Sequence, residues 1–170
     1  ETRLDDLAGA ADSHAAALAL APERLEPRRR LLRVFLQQGR FTDGAALLVE
    51  SGTAPAARDA VLLPLYESVA LERGEIRAAA GALAAAVDAA TALEPSIRRD
   101  LYGRAAGWFI DHAQDTEGAE RALERALTAD PRHVPNLLRR VELQRRKPDR
   151  RLVDTLIQLA AEQLDNLDHL

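Results

Sequence analysis

The chain of 170 residues contains no cysteine and no methionine, and aromatic residues make up only 4% of it. Without cysteine there can be no disulfide, no thiolate metal ligand and no cysteine nucleophile; the compartment is left open, with the cytoplasm favoured. β-Branched residues are also few, which leaves little material for strands. Alanine, leucine, arginine and glutamate are abundant, and all four are strong helix formers. The composition therefore predicts an all-α protein.

Long apolar runs are absent as well. The longest one, residues 78–87, is too short to cross a bilayer. The formal net charge is −4 and the isoelectric point is near 5.6, a balance that does not indicate a nucleic acid or a membrane surface as partner. Because the chain does not begin with methionine, we expect it to be a segment of a larger protein. Lys147 is its single lysine beside many arginines, a bias typical of a GC-rich bacterial genome.

Proline and glycine divide the chain into helices of ordinary length. Apolar residues recur at three- and four-residue spacing, which places them on one helical face. Pro64 falls inside one segment, where we expect a kink or a restart. Short connections should make neighbouring helices pack antiparallel in one continuous domain, residues 1–170. The predicted helices are Leu4–Leu20, Glu23–Gln38, Thr42–Glu50, Pro55–Arg73, Glu75–Leu93, Ser96–His112, Thr116–Ala129, His133–Arg146 and Asp149–Leu167.

A short turn recurs between paired helices. Residues 39–44 match residues 74–79 in having a glycine, an apolar residue two positions later and a small residue three positions after that. A third copy, residues 114–119, keeps only the small residue. An apolar residue follows each small residue by four positions, as Leu48, Leu83 and Leu123. Such periodicity predicts helix pairs that stack on one another.

These features resemble the tetratricopeptide repeat family, whose unit is a helix–turn–helix of 34 residues. The best copy carries the family's small, apolar and proline positions as Ala106, Gly107, Ala119, Leu123, Ala126 and Pro131. Gly103 stands where the family has tryptophan, and the last pair, from His133 to Leu167, fits poorly. The resemblance implies antiparallel helix pairs stacked as a right-handed superhelix, an α-solenoid.

Motifs of common enzyme chemistry are missing from the sequence. It contains no GxxxxGK[ST] phosphate loop and no GxGxxG, HExxH or GxSxG pattern. The four histidines are scattered, and the group Asp111, His112 and Asp115 is better explained as a solvated helix end than as a metal site. We therefore predict a protein that is not an enzyme and that binds no cofactor or metal.

The resemblance turns one face of the first helix of each pair toward a concave groove, where the family binds peptides. The residues at such positions are Arg104, Trp108, Asp111, His133, Asn136 and Arg140. Guanidinium groups bind carboxylates, and an asparagine can bond a peptide backbone in both directions. The set predicts a protein-interaction scaffold whose concave face binds an extended acidic or C-terminal peptide, with Trp108 as apolar anchor. The alternative is that Trp108 is a core residue and that the arginines are ordinary solvent-exposed residues.

Two further alternatives stay open. The basic run of residues 139–151 could bind phosphates or an acidic partner, or it could be a solvated helix end whose arginines complement the helix dipole. The whole chain could also be a regulatory or sensor segment that binds a small ligand and controls an attached output domain. A closed apolar pocket would favour the sensor, and an open polar groove would favour the scaffold.

The substitution Ala126→Arg tests the repeat alignment. It should lower the free energy of unfolding by several kcal/mol, because it overpacks a helix crossing and buries a charge. Thermal and chemical denaturation of the variant and the parent measure the difference. A variant that melted within a degree or two of the parent would show that the alignment is wrong.

Overall fold

A computed structural model describes residues 2–21, 24–50, 56, 58–146 and 148–167, and the side chains among them from residue 9 to residue 164. Within these residues the chain forms nine α-helices and one π-helical turn, without strands, so the all-α prediction is confirmed. The helices are α1 (Thr2–Leu20), α2 (Leu25–Gln37), α3 (Phe41–Val49), α4 (Leu63–Glu72), α5 (Ile76–Ala89), α6 (Pro95–Asp111), α7 (Thr116–Ala129), α8 (Val134–Arg145) and α9 (Arg150–Leu167). No helix within the described ranges combines the length and the hydropathy needed to cross a membrane.

The chain divides into two compact units, Glu1–Leu93 and Glu94–Leu170. In the first unit α2 is central and contacts α1, α3 and α4, while α5 packs on α3 and α4. In the second unit α6 and α7 form a closely packed hairpin, α8 packs against both of them, and α9 packs on α8. Packed helix pairs are thus present in each unit. The single continuous domain and the solenoid stay predictions.

A left-handed residue marks each of the three copies of the recurring turn. The φ angles are 73° at Gly39, 68° at Gly74 and 52° at Gln114. In the first two copies the N–H of the residue after the glycine bonds to the carbonyl five residues before it, at 2.9 Å and 2.8 Å. This is the Schellman arrangement, which ends a helix at a glycine. The same backbone geometry therefore recurs where the sequence pattern recurs.

The small residue after each turn lets two helices approach closely. At Gly44 a Cβ would lie 3.2 Å from side-chain atoms of both Leu32 and Tyr66. The equivalent residues Ala79 and Ala119 are fully buried. The apolar residues four positions later are also fully or almost fully buried: Leu48, Leu83 and Leu123. The burial predicted for the second helix of the best repeat copy is confirmed at Ala119, Leu123, Ala126 and Leu127.

Tyr66 joins three helices of the first unit. Its hydroxyl group lies 3.0 Å from the carbonyl oxygen of Phe41 and 3.1 Å from that of Ala79, so one O–H donor serves two carbonyls. Its ring meets the ring of Phe41 edge-on, with centroids 5.8 Å apart. Complete burial raises the pKa of the Tyr66 phenol above its ordinary value. The hydroxyl therefore stays protonated and holds α3, α4 and α5 together.

Pro64 lies at the start of α4, directly after a π-helical turn formed by Arg58–Leu62. Proline has no N–H to donate and its ring collides with the preceding turn, so an α-helix cannot run through it undisturbed. The sequence predicts a kink or a restart at Pro64, and the structure has a change from π to α geometry just before it. The predicted helix ends at Pro22 and at residues 51–55 lie outside the described residues.

Two glycine-to-alanine substitutions in the first unit should change stability in opposite directions. A Cβ would meet nothing within 4 Å at either Gly74 or Gly81, so only the backbone conformation differs between them. Gly74→Ala should lower the free energy of unfolding by about 1 kcal/mol, because alanine is strained at positive φ. Gly81→Ala, inside α5, should raise it by up to about 1 kcal/mol. Urea denaturation measures both, and a Gly74→Ala variant as stable as the parent, or more stable, would contradict the left-handed turn.

Candidate interaction sites

The six residues that the sequence predicts to line one groove differ in burial. On α6, Arg104 and Asp111 are exposed, but Trp108 between them is only 2% exposed. A side chain buried to this degree cannot anchor a peptide that lies on the surface. The expectation for Trp108 is therefore corrected: it is a core residue, the alternative left open by the sequence.

Asn136 occupies a space that a glycine leaves on α6. A Cβ at Gly103 would lie 2.7 Å from Oδ1 of Asn136, a distance that real Cβ atoms do not show. Beside it, Nη1 of Arg139 donates a hydrogen bond of 2.8 Å to the carbonyl of Gly103. Asn136 contacts α6 and is only 1% exposed. It is therefore not available to a ligand on the surface. The glycine that departs from the resembled family thus makes room for the docking of α8.

Arg99 joins α6 to the loop between α7 and α8. Its Nε donates to Asp100 and its Nη1 donates to Asp130, each at 2.8 Å. Asp130 also accepts the backbone N–H of Arg132 at 3.1 Å. The hydrogen bond from Arg99 is the largest cause that holds the pKa of the Asp130 carboxyl below its ordinary value. The Asp-Pro sequence that ends α7 is therefore fastened by a charge-assisted hydrogen bond.

The same loop is tied to α9. Nε of Arg132 lies 2.9 Å and 2.7 Å from the two carboxylate oxygens of Glu162, and Nε2 of Gln158 donates to the carbonyl of Pro131 at 2.7 Å. His133, at the start of α8, is half-buried beside these bonds. Burial lowers the pKa of His133 below its ordinary value, and the positive charge of Arg99 lowers it further. His133 thus belongs to a structural cluster.

Arg140 lines a small cleft of about 270 Å³ between α7, α8 and the start of α9. The lining residues are Glu117, Glu120, Arg121, Glu124, Arg140, Leu143, Gln144 and Arg151. Three glutamates and three arginines balance one another, so the cleft has no net preference for an anion or a cation. Gln144 is 6% exposed, and its Oε1 has no hydrogen-bond partner among the described residues.

The basic run of residues 139–151 is partly engaged in bonds within the chain. Arg139 donates to α6 as described above, and Nε of Arg151 donates to Asp149 at 2.8 Å. Lys147 lies outside the described residues. The arginines at 145, 146 and 150 are exposed. The run therefore combines internal contacts with exposed charge at the turn between α8 and α9.

The group Asp111, His112 and Asp115, considered as a possible metal site in the sequence, lies between the end of α6 and the start of α7. Asp111 and His112 are exposed, and Oδ1 of Asp115 accepts the N–H of Gly118 at 2.9 Å as the N-cap of α7. Across the part of the chain that the structure describes, no group of three or more histidine, aspartate or glutamate residues could hold a metal ion. Capping is a sufficient reason for Asp115 at this position.

A larger cleft of about 470 Å³ lies in the first unit, over α2 and between α1 and α3; we call it the α1–α3 cleft. Its lining residues are Ala15, Leu18, Ala19, Arg28, Leu31, Phe35, Asp43, Ala46, Leu47 and Glu50. Leu18, Leu31 and Leu47 are at most 8% exposed and form its floor. The charged residues lie toward its two ends. An apolar centre with a few polar groups is typical of binding sites.

Arg28 lies at one end of this cleft and is only 2% exposed. Its Nη1 donates to the carbonyl of Leu47 and to Oε2 of Glu50, each at 3.0 Å. A buried charge needs such partners, because desolvation would otherwise make it very costly. Sequence reasoning missed Arg28, although a signal exists: it precedes Leu31 and Leu32 by three and four residues, which places it on the apolar face of α2.

The other end of the cleft carries a second arginine–carboxylate pair. Nε of Arg40 donates to Asp43 at 2.6 Å, and the Arg40 guanidinium lies 4.5 Å from the centroid of the Phe35 ring. The Arg40 and Asp43 side chains are 47% and 46% exposed, in contrast to buried Arg28. Each end of the α1–α3 cleft therefore presents a partly exposed carboxylate, Asp43 or Glu50.

The lowered pKa of His133 predicts a loss of stability in mild acid. As pH falls through about 6.5, this histidine becomes protonated in the unfolded chain before it does in the folded chain. Proton binding therefore stabilises the unfolded state relative to the folded state. Stability should therefore fall between pH 7.5 and pH 5.5, and His133→Gln should show a smaller fall. The groups that face His133 are Arg99, Asp100 and Asp130, and the pKa of Asp130 is lowered away from this window. His112→Gln, at an exposed helix end, is the control and should behave like the parent. An equal loss in the parent and in His133→Gln would contradict the prediction.

Comparison with protein-family models, with curated proteins and with solved structures finds no match for this chain. The tetratricopeptide-repeat resemblance therefore stays a prediction that rests on the recurring turn and on the small residues that follow it.

Proposed function

We propose that this chain is a protein-interaction module of the helical-repeat type, and that it binds a short segment of a partner protein in the α1–α3 cleft. The observation that carries the proposal is the cleft itself, with its apolar floor and a carboxylate at each end. The class of function is the one that the sequence predicts. The site differs, because Trp108 and Asn136 are buried in the second unit.

The size and the lining of the cleft support a peptide side chain as occupant. Its volume of about 470 Å³ falls within the range of roughly 300–1,000 Å³ that is usual for binding pockets. Alanines 15, 19 and 46 are exposed along its walls, so its mouth is open and lined by small side chains. Such an opening admits apolar side chains of a partner without a change in the rotamers of the walls.

The charges at the two ends support a basic partner. Asp43 and Glu50 are seven residues apart on α3 and at its end, which is two helical turns or about 10 Å. A carboxylate has room for about four hydrogen-bond donors, so each of these residues can accept a further cation beside its arginine. The partner segment we expect has one or two large apolar residues flanked by lysine or arginine. This differs from the acidic peptide that the residues of the second unit predict.

The repeat architecture is part of the proposal. The three left-handed turns and the buried small residue after each of them support stacked helix pairs of the tetratricopeptide-repeat kind. In such an array each pair relies on its neighbours to bury its apolar face. Open clefts between helices are then a natural result of stacking, and they suit the binding of extended or helical segments.

A small-ligand sensor is the second candidate: the α1–α3 cleft is open, whereas a closed pocket would favour a sensor, but its floor is apolar as a small ligand requires. Apolar walls with a few charged groups could also take a small apolar amine, whose ammonium group would bond to Asp43 or Glu50. A thermal-denaturation screen with primary alkylamines of increasing chain length distinguishes the two. A rise in melting temperature that grows with chain length would support the sensor, and the absence of any rise would leave the peptide as occupant.

The proposal is tested by selection from a displayed peptide library on the intact chain. Selected peptides should carry leucine, isoleucine or phenylalanine between basic residues, and they should bind with micromolar Kd values in fluorescence anisotropy. Replacement of their basic residues by glutamate should weaken binding at least about tenfold, since the carboxylates would then repel them.

A matched pair of variants locates the site. Ala19→Gln with Ala46→Gln fills the mouth of the cleft and should weaken binding of the selected peptides at least about tenfold. The control is Ala78→Gln with Ala85→Gln, two exposed alanines on α5 that do not line the cleft, and it should bind like the parent. Peptides that bound both variants equally well, or that were rich in acidic residues, would contradict the proposal.

A further inference from the structure

Helix α9 has two apolar faces, and the described residues cover only one of them. Toward the second unit, Leu159 is 7% exposed and packs in a cluster with Leu127, Leu137 and Val141. On the other side Val153 is 54% exposed, Ile157 is 64% exposed and Leu164 is 63% exposed. Ala160, also exposed, completes the row, which we call the α9 stripe: Val153, Ile157, Ala160 and Leu164.

The spacing of the α9 stripe is the spacing of a helix–helix seam. Its residues follow one another at intervals of four, three and four, as alternating core positions of a heptad do. A contiguous row of large exposed apolar side chains on a charged protein marks an interaction surface. The stripe extends over about 16 Å of helix, and the small side chain of Ala160 lets a second helix approach closely.

We propose that the α9 stripe is a self-association surface, and that it pairs with the α9 stripe of a second copy of this chain in antiparallel orientation. An antiparallel two-fold arrangement brings Val153 of each copy opposite Leu164 of the other, and Ile157 opposite Ala160. The seam is then self-complementary, as an isologous interface requires. This surface lies on a different helix and in a different unit from the α1–α3 cleft.

Charge decides the orientation. Arg150 lies seven residues before Ile157, so it continues the stripe at the N-terminal end of α9, and it is exposed. Parallel pairing would place the two Arg150 guanidinium groups side by side. Antiparallel pairing places each of them at the last turn of the other α9, which is the negative end of a helix dipole. The two helix dipoles also oppose each other favourably in this arrangement.

The size of the seam sets the strength of association. Stable protein interfaces bury about 1,200–2,000 Å² in total, and a single helix pair of this length covers less than that. The dimer should therefore be weak and should form at micromolar to millimolar concentrations of the chain.

Sedimentation equilibrium of the intact chain tests the proposal over concentrations from about 10 µM to about 1 mM. The weight-average mass should rise from the monomer mass of 18.5 kDa toward twice that value. Ile157→Asp should raise the dissociation constant at least about tenfold, because it places a charge at the centre of the seam. Leu138→Asp, at a 44% exposed leucine on α8, is the matched control and should dimerise like the parent. Circular dichroism and urea denaturation establish that both variants are folded.

The orientation is tested separately, in a chain that has no cysteine of its own. Copies with Val153→Cys mixed with copies with Leu164→Cys should form a mixed disulfide under mild oxidation, whereas copies with Val153→Cys alone should not. A chain that stayed monomeric at every concentration, or a dimer unaffected by Ile157→Asp, would overturn the proposed surface. Ready cross-linking of copies with Val153→Cys alone would overturn the antiparallel orientation.

Discussion

The close approach of helices at a small residue is the constraint on which the rest of the structure depends. The chain has few aromatic residues and no methionine, so its core is filled mainly by leucine and alanine. Alanine and glycine contribute to a core only where two backbones come close together. At Gly44 an added Cβ would lie only 3.2 Å from side-chain atoms of Leu32 and Tyr66 and 3.4 Å from Leu36, so there is little room for a larger residue. The left-handed turn five residues earlier aims the second helix at that contact, so turn and crossing require each other.

Much of the fold could be predicted from the sequence, because its determinants are local. Periodicity, proline and glycine indicated the helices, and the recurring turn indicated the residues buried at Ala119 and Ala126. The environment of Trp108 and Asn136 could not be predicted in this way. Whether a residue on a helical face is covered depends on which helix docks there, and that in turn depends on the space left by Gly103. No local pattern records such a contact between distant segments.

The candidate site was missed for a related reason. The α1–α3 cleft is formed by three successive helices, and its buried arginine, Arg28, is paired with a residue 22 positions away, Glu50. Arginine is so abundant in this chain that one more arginine on a helix is expected to be an ordinary solvent-exposed residue. Its place on the apolar face of α2 is the one sequence signal that separates Arg28 from its neighbour Arg30, and in the structure Arg28 is buried and Arg30 is exposed. His133 shows the opposite case: the sequence predicted it at a groove position, and it lies half-buried in a loop whose charged side chains are bound by Arg99 and Glu162.

The π-helical turn before Pro64 has a consequence for how this architecture tolerates change in length. A π turn holds one residue more than an α turn. The interval between the left-handed glycines Gly39 and Gly74 is likewise one residue longer than the 34-residue unit of the resembled family. In an uninterrupted α-helix an extra residue would rotate everything beyond it by about 100° and turn the apolar face away from the core. A wide turn can absorb such an insertion where it occurs, so that packed faces on both sides keep their register while the length of the unit drifts.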